Sequence, residues 1–393
     1  VRGASGPPPC PGGRDGTPRR ILRDRVRSNP RSRPPRRWHP AVSVGRGRTP
    51  VAAYSPIMRM PAEWEPHERT WMAWPSAGYT LGDTPAEADV ARSAWAGVAL
   101  AVARFEPVTM AVTPNDAHIA RRFLDQRTRC PISLLEVELN DAWMRDIGPT
   151  FAIGSNRLVG VDWVFNGWGC QSWARWDRDA RVASAICEAA GVDSIPTSLV
   201  NEGGGIHVDG AGTVLVTETV QLDPGRNPDS TRTEVEVELT RTLGIERVIW
   251  LPRGLTRDYD EFGTRGHVDI VACFVPDGRV LVHDQRDPHH PDFAVSEEIR
   301  GTLHDAGLET IDVPAPTTLR DGEDWVDYSY VNHYVVNGGV IACSFDDPHD
   351  EIAADILRQV YPDRDIVLVD ARPLFARGGG IHCITQQQPA VSA

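Results

Sequence analysis

Cys383 stands in the stretch RGGGIHCITQ, directly after a glycine run and a histidine and just ahead of the amide run Gln386–Gln388. Most buried cysteines act as small apolar fillers, but the bare backbone of Gly378–Gly380 is a poor setting for packing alone. A nucleophilic thiolate needs a nearby base, and His267 of RGHVD serves if the fold brings the two together. His382 adjoins the cysteine. In an extended segment neighbouring side chains point to opposite faces, so His382 is expected to face away. His267 and Asp269 are two residues apart and on a strand would share one face. Asp146 of WMRDIGP brings a second carboxylate, and Glu202, ahead of a second glycine run, is a third candidate acid. Carboxylates converging beside a thiol and an imidazole suit a planar cation. A guanidinium offers five N–H donors in a rigid fork that carboxylates match two at a time, and such a clamp would hold its central carbon over the sulfur. Trp143, three residues before Asp146, is placed either to cover a substrate stem or stack on its charge, or to pack as an ordinary core indole.

A metal is the rival use of these residue types, through His207, Asp209, His267, Asp269 and Cys383. No H-x3-H or C-x-x-C spacing supports it, and a mixed carboxylate–thiolate set is unusual for zinc. No metal and no organic cofactor are therefore expected. The glycine runs fit neither G-x-G-x-x-G opening a helix nor G-x4-G-K-[ST], which argues against a nucleotide.

These residues are far apart and need a scaffold that gathers them. Periods of 3.6 and 2 alternate along the chain, the pattern of mixed β/α modules. Helices are expected at 86–104, 115–127, 177–190, 230–243, 293–306 and 348–360, and strands at 107–112, 132–137, 157–165, 213–217, 247–251, 279–283, 334–343 and 366–369. Reactive residues interrupt these elements at Asp146, His207, His267, Asn332 and Cys383, at intervals of 61, 60, 65 and 51. A module of roughly 60 residues used five times over implies a repeat architecture, and five modules in a ring would bring equivalent positions to one central pocket. GGGIH occurs at Gly203–His207 and again at Gly378–His382. Glycine lets the backbone adopt positive φ and approach a neighbour closely, so the turn reads as a repeated structural unit in which Cys383 specialises one copy. His67, Trp64, Trp71 and Trp74 are expected to pack the first module.

Charge is divided unevenly. Residues 1–50 hold 13 Arg against two Asp, whereas the remainder holds 28 Arg against 52 acids, with no Lys anywhere. The acidic body repels nucleic acid and membrane phosphates and suits a small cationic substrate. The Arg- and Pro-rich stretch 1–57 is expected to be a disordered leader, with globular patterning and a plausible start at Met58 or Met60, and 58–393 a single catalytic domain. There is no apolar run of membrane length, and seven scattered cysteines without a C-x-x-C pair read as a reduced compartment, so a cytoplasmic protein is expected. Homo-oligomerisation is left open.

Six blocks, MPAEWEPHERTWMAWP (60–75), WMRDIGP (143–149), VDWVFNGWG (161–169), NEGGGIHVDGAGTVLVTE (201–218), GHVD (266–269) and GGGIHCITQQQP (378–389), together resemble the agmatine deiminase and bacterial peptidyl-arginine deiminase family. The resemblance covers about 58–390. It implies a five-bladed α/β propeller, the pentein fold, in agreement with the five-fold spacing. It further implies Cys383 as nucleophile through an amidino-cysteine intermediate, His267 as acid and base, and Asp146 and Asp269 as the guanidinium clamp, with Trp143, Glu202 and Asn332 at substrate-side positions. Agmatine, converted to N-carbamoylputrescine and ammonia, is the expected substrate. Peptidyl or free arginine, amidino transfer to an amine, and a non-catalytic binding module are the alternatives. Two departures bear on the substrate tail: Arg265 precedes the GHVD motif where an uncharged residue is usual, and Ile270 follows it where a polar one is usual.

Overall fold

One local pattern occurs five times among the described residues: two antiparallel strands, the second of which pairs in parallel with a third. The computed structural model describes residues 58–322 and 324–391, so the expected leader, 1–57, lies outside the described residues. In four sheets the antiparallel strands are consecutive: Thr150–Gly154 with Arg157–Val164, Ile206–Val208 with Thr213–Thr217, Ala272–Phe274 with Val280–Asp284, and Tyr334–Val336 with Gly339–Ser344. In the fifth sheet they come from opposite ends of the chain, Thr385–Pro389 lying antiparallel to His67–Ala73 with Gln387 opposite Thr70. A helix bridges each parallel pair, among them Pro85–Val102, Val182–Ala190, Arg232–Leu243, Asp292–Asp305 and Asp350–Val360. The class is mixed α/β.

The helices start where side chains can satisfy their open N–H groups. Thr84 with Glu87 and Thr231 with Glu234 each form a capping box, and Pro85 adds a pre-set first turn. The strand Val108–Val112 is buried along its whole length, as a parallel strand covered on both faces must be. Trp71 and Trp74 are fully enclosed in the core beside the strand His67–Ala73, where His67 is buried and Trp64 half-buried.

Two expected elements differ. The run 334–343 is a hairpin rather than one strand, because Asn337-Gly338 makes a two-residue turn with Gly338 at φ +79°. The helix expected from 177 begins only at Val182, since the carboxylate of Asp179 is occupied by the backbone N–H groups of Asn140 and Asp141 at 2.7 and 3.3 Å.

The site is set by what precedes each hairpin. A short turn stands just before the first strand in four modules: Met144–Ile147, Gly203–Gly205, Val268–Ile270 and His382–Ile384. Met144–Ile147 packs against both Gly203–Gly205 and His382–Ile384, and Gly203–Gly205 against Val268–Ile270. Asn332 occupies the corresponding place before Tyr334. The second module therefore contributes Glu202 at this position, and His207, the expected marker, lies beyond it on the strand Ile206–Val208.

The closing strand also ties the turns to the core, because the buried Arg145 donates from Nη1 to Oε1 of the buried Gln387 at 2.8 Å. Gln387→Ala leaves that guanidinium N–H without a partner and is expected to cost about 1–3 kcal/mol. Urea unfolding checks this: the midpoint should fall with the slope unchanged, and an unmoved midpoint would contradict the assignment.

Candidate active site

The four turns and Asn332 place Cys383 among acids. Its sulfur is 3.5 Å from Asp269 Oδ2 and 3.3 Å from the Asn332 side-chain amide, and it accepts the Gly380 N–H at 3.4 Å. Asn332 also bonds the backbone carbonyl of Asp269 at 3.2 Å and receives the His382 N–H at 3.0 Å, which fixes the two turns together. On the other side, Asp146 Oδ2 accepts from the indole of Trp168 at 2.9 Å and Oδ1 from Gly204 N at 3.1 Å. His267 Nδ1 lies 3.9 Å from that Oδ1, while its Nε2 bonds Glu202 Oε2 at 3.2 Å. All of these side chains are buried.

The glycine runs exist for proximity. A Cβ on Gly204 would stand 2.5 Å from His267 Nδ1 and 3.0 Å from Asp146 Oδ1, and one on Gly380 would stand 2.3 Å from Asn332 Oδ1. Only glycine allows the backbone this close. Within the first run close approach alone is required, because positive φ occurs only in the second, at Gly378 with +99°.

Burial sets the protonation states. It pushes the Cys383 thiol well above its ordinary range, and the charges of Asp269 and Asp146 push it further. Burial likewise raises the Asp146 carboxyl, opposed by His267 and aided by Glu202 and Asp269, to about 6. For His267 burial works against the charged form, but Asp146, Glu202 and Asp269 outweigh it and raise the imidazole to about 9. Asp269 and Glu202 remain below the usual carboxylate range despite burial, the first through His382 and the second through Arg226 and His267. The free site therefore holds a neutral thiol, an imidazolium and ionised acids. Two buried polar atoms of this group have no hydrogen-bond partner among the described residues, Asp269 Oδ1 and His267 Nδ1. Buried polar atoms are seldom left so, and an acceptor and a donor open in one site mark where a ligand would bind.

Several expected placements change. His382 faces inward, because residues 382–384 form a tight turn rather than an extended segment. Its Nδ1 bonds Asp269 Oδ2 at 2.8 Å and its Nε2 bonds Glu63 Oε2 at 2.8 Å. Asp269 likewise lies within a turn, Val268–Ile270, that His267 precedes, so the two do not share a strand face, and no hydrogen bond joins His267 to Cys383. Glu202 presents no free carboxylate to a substrate: both oxygens bond Arg226 Nε at 3.0 Å, and one also bonds His267. Trp143 lies under the nucleophile's loop, where a Cβ on Gly379 would stand 2.7 Å from its ring. Its Nε1 donates to the Tyr79 hydroxyl at 2.9 Å and its ring meets Trp95 edge-on. Asp209 caps its own turn through Ala211 N and Thr213 N, and His207 Nδ1 accepts the Phe274 N–H, so neither stands with the others as a metal ligand. No cluster of three or more His, Cys, Asp or Glu suited to a metal occurs among the described residues.

Sequence reasoning missed Glu63, Trp168, Arg226 and Asp258. Asp258 shapes the histidine loop, its carboxylate accepting from the backbone of Thr264, Gly266 and His267 at 2.6, 2.6 and 3.1 Å. Glu63 stands in PAEWEPH, a segment dense enough in acids and aromatics to have drawn notice.

The family described as Porphyromonas-type peptidyl-arginine deiminase matches residues 59–389. A relative from Streptomyces coelicolor is 57% identical over 339 residues, spanning 84% of this chain and 98% of its own. Agmatine deiminase of Stutzerimonas stutzeri is 41% identical over 360 residues, spanning 84% and 95%. Among solved structures, agmatine deiminase of Enterococcus faecalis superposes with a TM-score of 0.77 at 34% identity, covering 86% of this chain and 97% of that one. No helix among the described residues is long and apolar enough to cross a membrane.

Gly204→Ala would drive a methyl group against His267 and Asp146. It is expected to lower turnover by about 100-fold, the scale of a misplaced reacting group, while far-ultraviolet circular dichroism stays unchanged. Full activity in that variant would show that the contact is not needed.

Proposed function

The chain belongs to the Porphyromonas-type peptidyl-arginine deiminase family, and on that footing we propose that it hydrolyses agmatine to N-carbamoylputrescine and ammonia. As a deiminase it is a hydrolase of C–N bonds. The observation that carries the substrate class is the open pair, Asp269 Oδ1 and His267 Nδ1, beside a buried thiol and Asp146. We read the five sheets as blades around a common axis, each offering its pre-hairpin turn to one pocket, and residues 58–391 as carrying all of the chemistry.

In this account the substrate guanidinium lies between Asp146 and Asp269, which bond its N–H groups. Its positive charge offsets the two carboxylates that add to burial in holding the thiol neutral, so Cys383 sheds its proton to solvent as the substrate binds. The thiolate adds to the guanidinium carbon and gives a neutral tetrahedral adduct. His267, protonated in the free site, gives its proton to one amino group, which leaves as ammonia and takes up a proton from water. The remaining amidino-thioether is a cation. His267, now neutral, removes a proton from water as the oxygen attacks, the C–S bond breaks, and the hydroxyl proton passes to sulfur. The ureido product and the starting thiol result. Glu202, held by Arg226, positions His267 and supports its charge.

Arg265 is part-exposed, and its Nη1 is tied to Asp223 at 3.2 Å. A panel of agmatine, arginine and arginyl peptides scored by ammonia release identifies the tail, with agmatine expected to be preferred. Rapid acid quench and mass spectrometry should find the amidino adduct on the Cys383 peptide, and Cys383→Ser should abolish both adduct and turnover. An adduct elsewhere, or transfer to an added amine in place of hydrolysis, would overturn the reading.

The protonation states fix the pH dependence. Asp146 must be ionised, so kcat/KM should fall as pH drops through about 6. His267 must begin protonated, so it should fall again as pH rises through about 9. Both limbs belong to the coupled pair. Glu202→Gln removes a charge that raises His267 and should move the alkaline limb to lower pH; an unmoved limb would exclude His267 as the acid.

A further inference from the structure

The two GGGIH segments end on histidines whose rings approach to 6.3 Å between centroids, beside a buried cavity of about 10 Å³, room for a single water. Their partners differ. His207 Nδ1 accepts the Phe274 N–H at 3.2 Å, so this ring takes a hydrogen bond from the backbone. His382 lies between two carboxylates, with Nδ1 at 2.8 Å from Asp269 Oδ2 and Nε2 at 2.8 Å from Glu63 Oε2. An imidazole donates from both nitrogens only as an imidazolium. Glu63 cannot turn away, because Oε2 also receives Arg145 Nη2 at 3.2 Å and Oε1 receives the Val335 N–H at 2.8 Å.

We propose that Glu63 and His382 are positioning residues that aim Asp269: the imidazolium pins Oδ2 and leaves Oδ1 as the oxygen presented to the substrate guanidinium. The proposal rests on the deiminase reading for what Oδ1 meets. Asp269 Oδ1 has no partner, whereas Oδ2 has its short bond to His382 and its longer contact with Cys383. Asn332 bonds the backbone carbonyl of Asp269 and leaves the carboxylate unrestrained. The pin is thus the strong restraint on the carboxylate's rotation. The charged and titratable groups facing His382 are Glu63, Asp269 and Arg145, with His207, His333, Cys273 and Tyr361 around the cavity; those facing Asp269 are His382, His267, Arg145, Asp146, Cys383 and Cys273. Burial opposes a charge on His382, as does Arg145, yet the two carboxylates prevail and raise it.

Two substitutions separate aiming from mere packing. The amide of His382→Asn reproduces the Nδ1 donor toward Asp269, and that of His382→Gln reproduces the Nε2 donor toward Glu63. The expected result with agmatine is that His382→Asn stays within about tenfold of the parent, while His382→Gln raises KM by about 100-fold with a smaller change in kcat. Equal losses in the two variants, or the reverse order, would overturn the proposal. Nitrogen-15 NMR of the histidine rings provides an arm that needs neither substrate nor stable variants. His382 should show two ring N–H signals at about pH 8, well above the ordinary range for histidine, and Glu63→Gln should abolish one of them. A neutral His382 in the parent protein would likewise overturn it. If the parent released ammonia from no guanidine, the function reading would fail while the ring signals still judged the brace.

Discussion

A carboxylate taken out of water must find a positive partner, and this requirement organises the centre of the molecule. Glu202 is paired with Arg226 and His267, Asp269 with His382, and Glu63 with His382 and Arg145, all within the buried interior. Removing one member of such a pair leaves an uncompensated buried charge, a loss of about 3–5 kcal/mol. Asp146 is the least compensated, bonded to Trp168 and Gly204 with only the more distant His267 as a cation, and burial accordingly raises its carboxyl to about 6. Asp146 is thus the acid of this group with the least positive charge close to it, which is where a cationic substrate would fit. Burial, with the charges of Asp269 and Asp146 added to it, keeps the thiol of Cys383 protonated.

The fold serves this electrostatics by bringing tight turns together at close range. Each turn runs into a strand of its sheet, so the sheet anchors it from behind. Glycines at 204 and 380 remove the side chains that would otherwise hold His267 and Asn332 away. The last strand pairs with the first long one, and so the turn carrying Cys383 is anchored against the beginning of the domain. Sites built on rigid elements keep reacting groups within the small tolerances that catalysis demands.

Much of this was legible from residue type and spacing. Cys383, Asp146, Asp269 and Asn332 stand out in the chain by type and spacing, and the structure brings them into one buried group with His267. The five-fold rhythm has a counterpart in the strand pattern that five of the sheets repeat, although its second marker belongs on Glu202 rather than His207. Alternation of faces holds only for extended backbone, and residues 268–270 and 382–384 are tight turns, so His382 faces inward where an extended segment would turn it away. What was missed was long-range pairing. Glu63 meets His382 across 319 residues and Arg226 meets Glu202 across the interior, and neither leaves a periodic trace in the sequence. The Asn-Gly turn at 337–338 was a local signal that outranked the apolar run around it.

On the proposed mechanism Cys383 is a neutral thiol in the free protein and ionises when a guanidinium enters. Stopped-flow ultraviolet absorbance of thiolate on mixing with agmatine, with Cys383→Ser as the blank, tests it most directly. Little thiolate at neutral pH before mixing, followed by a rise preceding ammonia release, is the predicted result. A thiolate already present in the free protein, or none formed as the substrate binds, would contradict it.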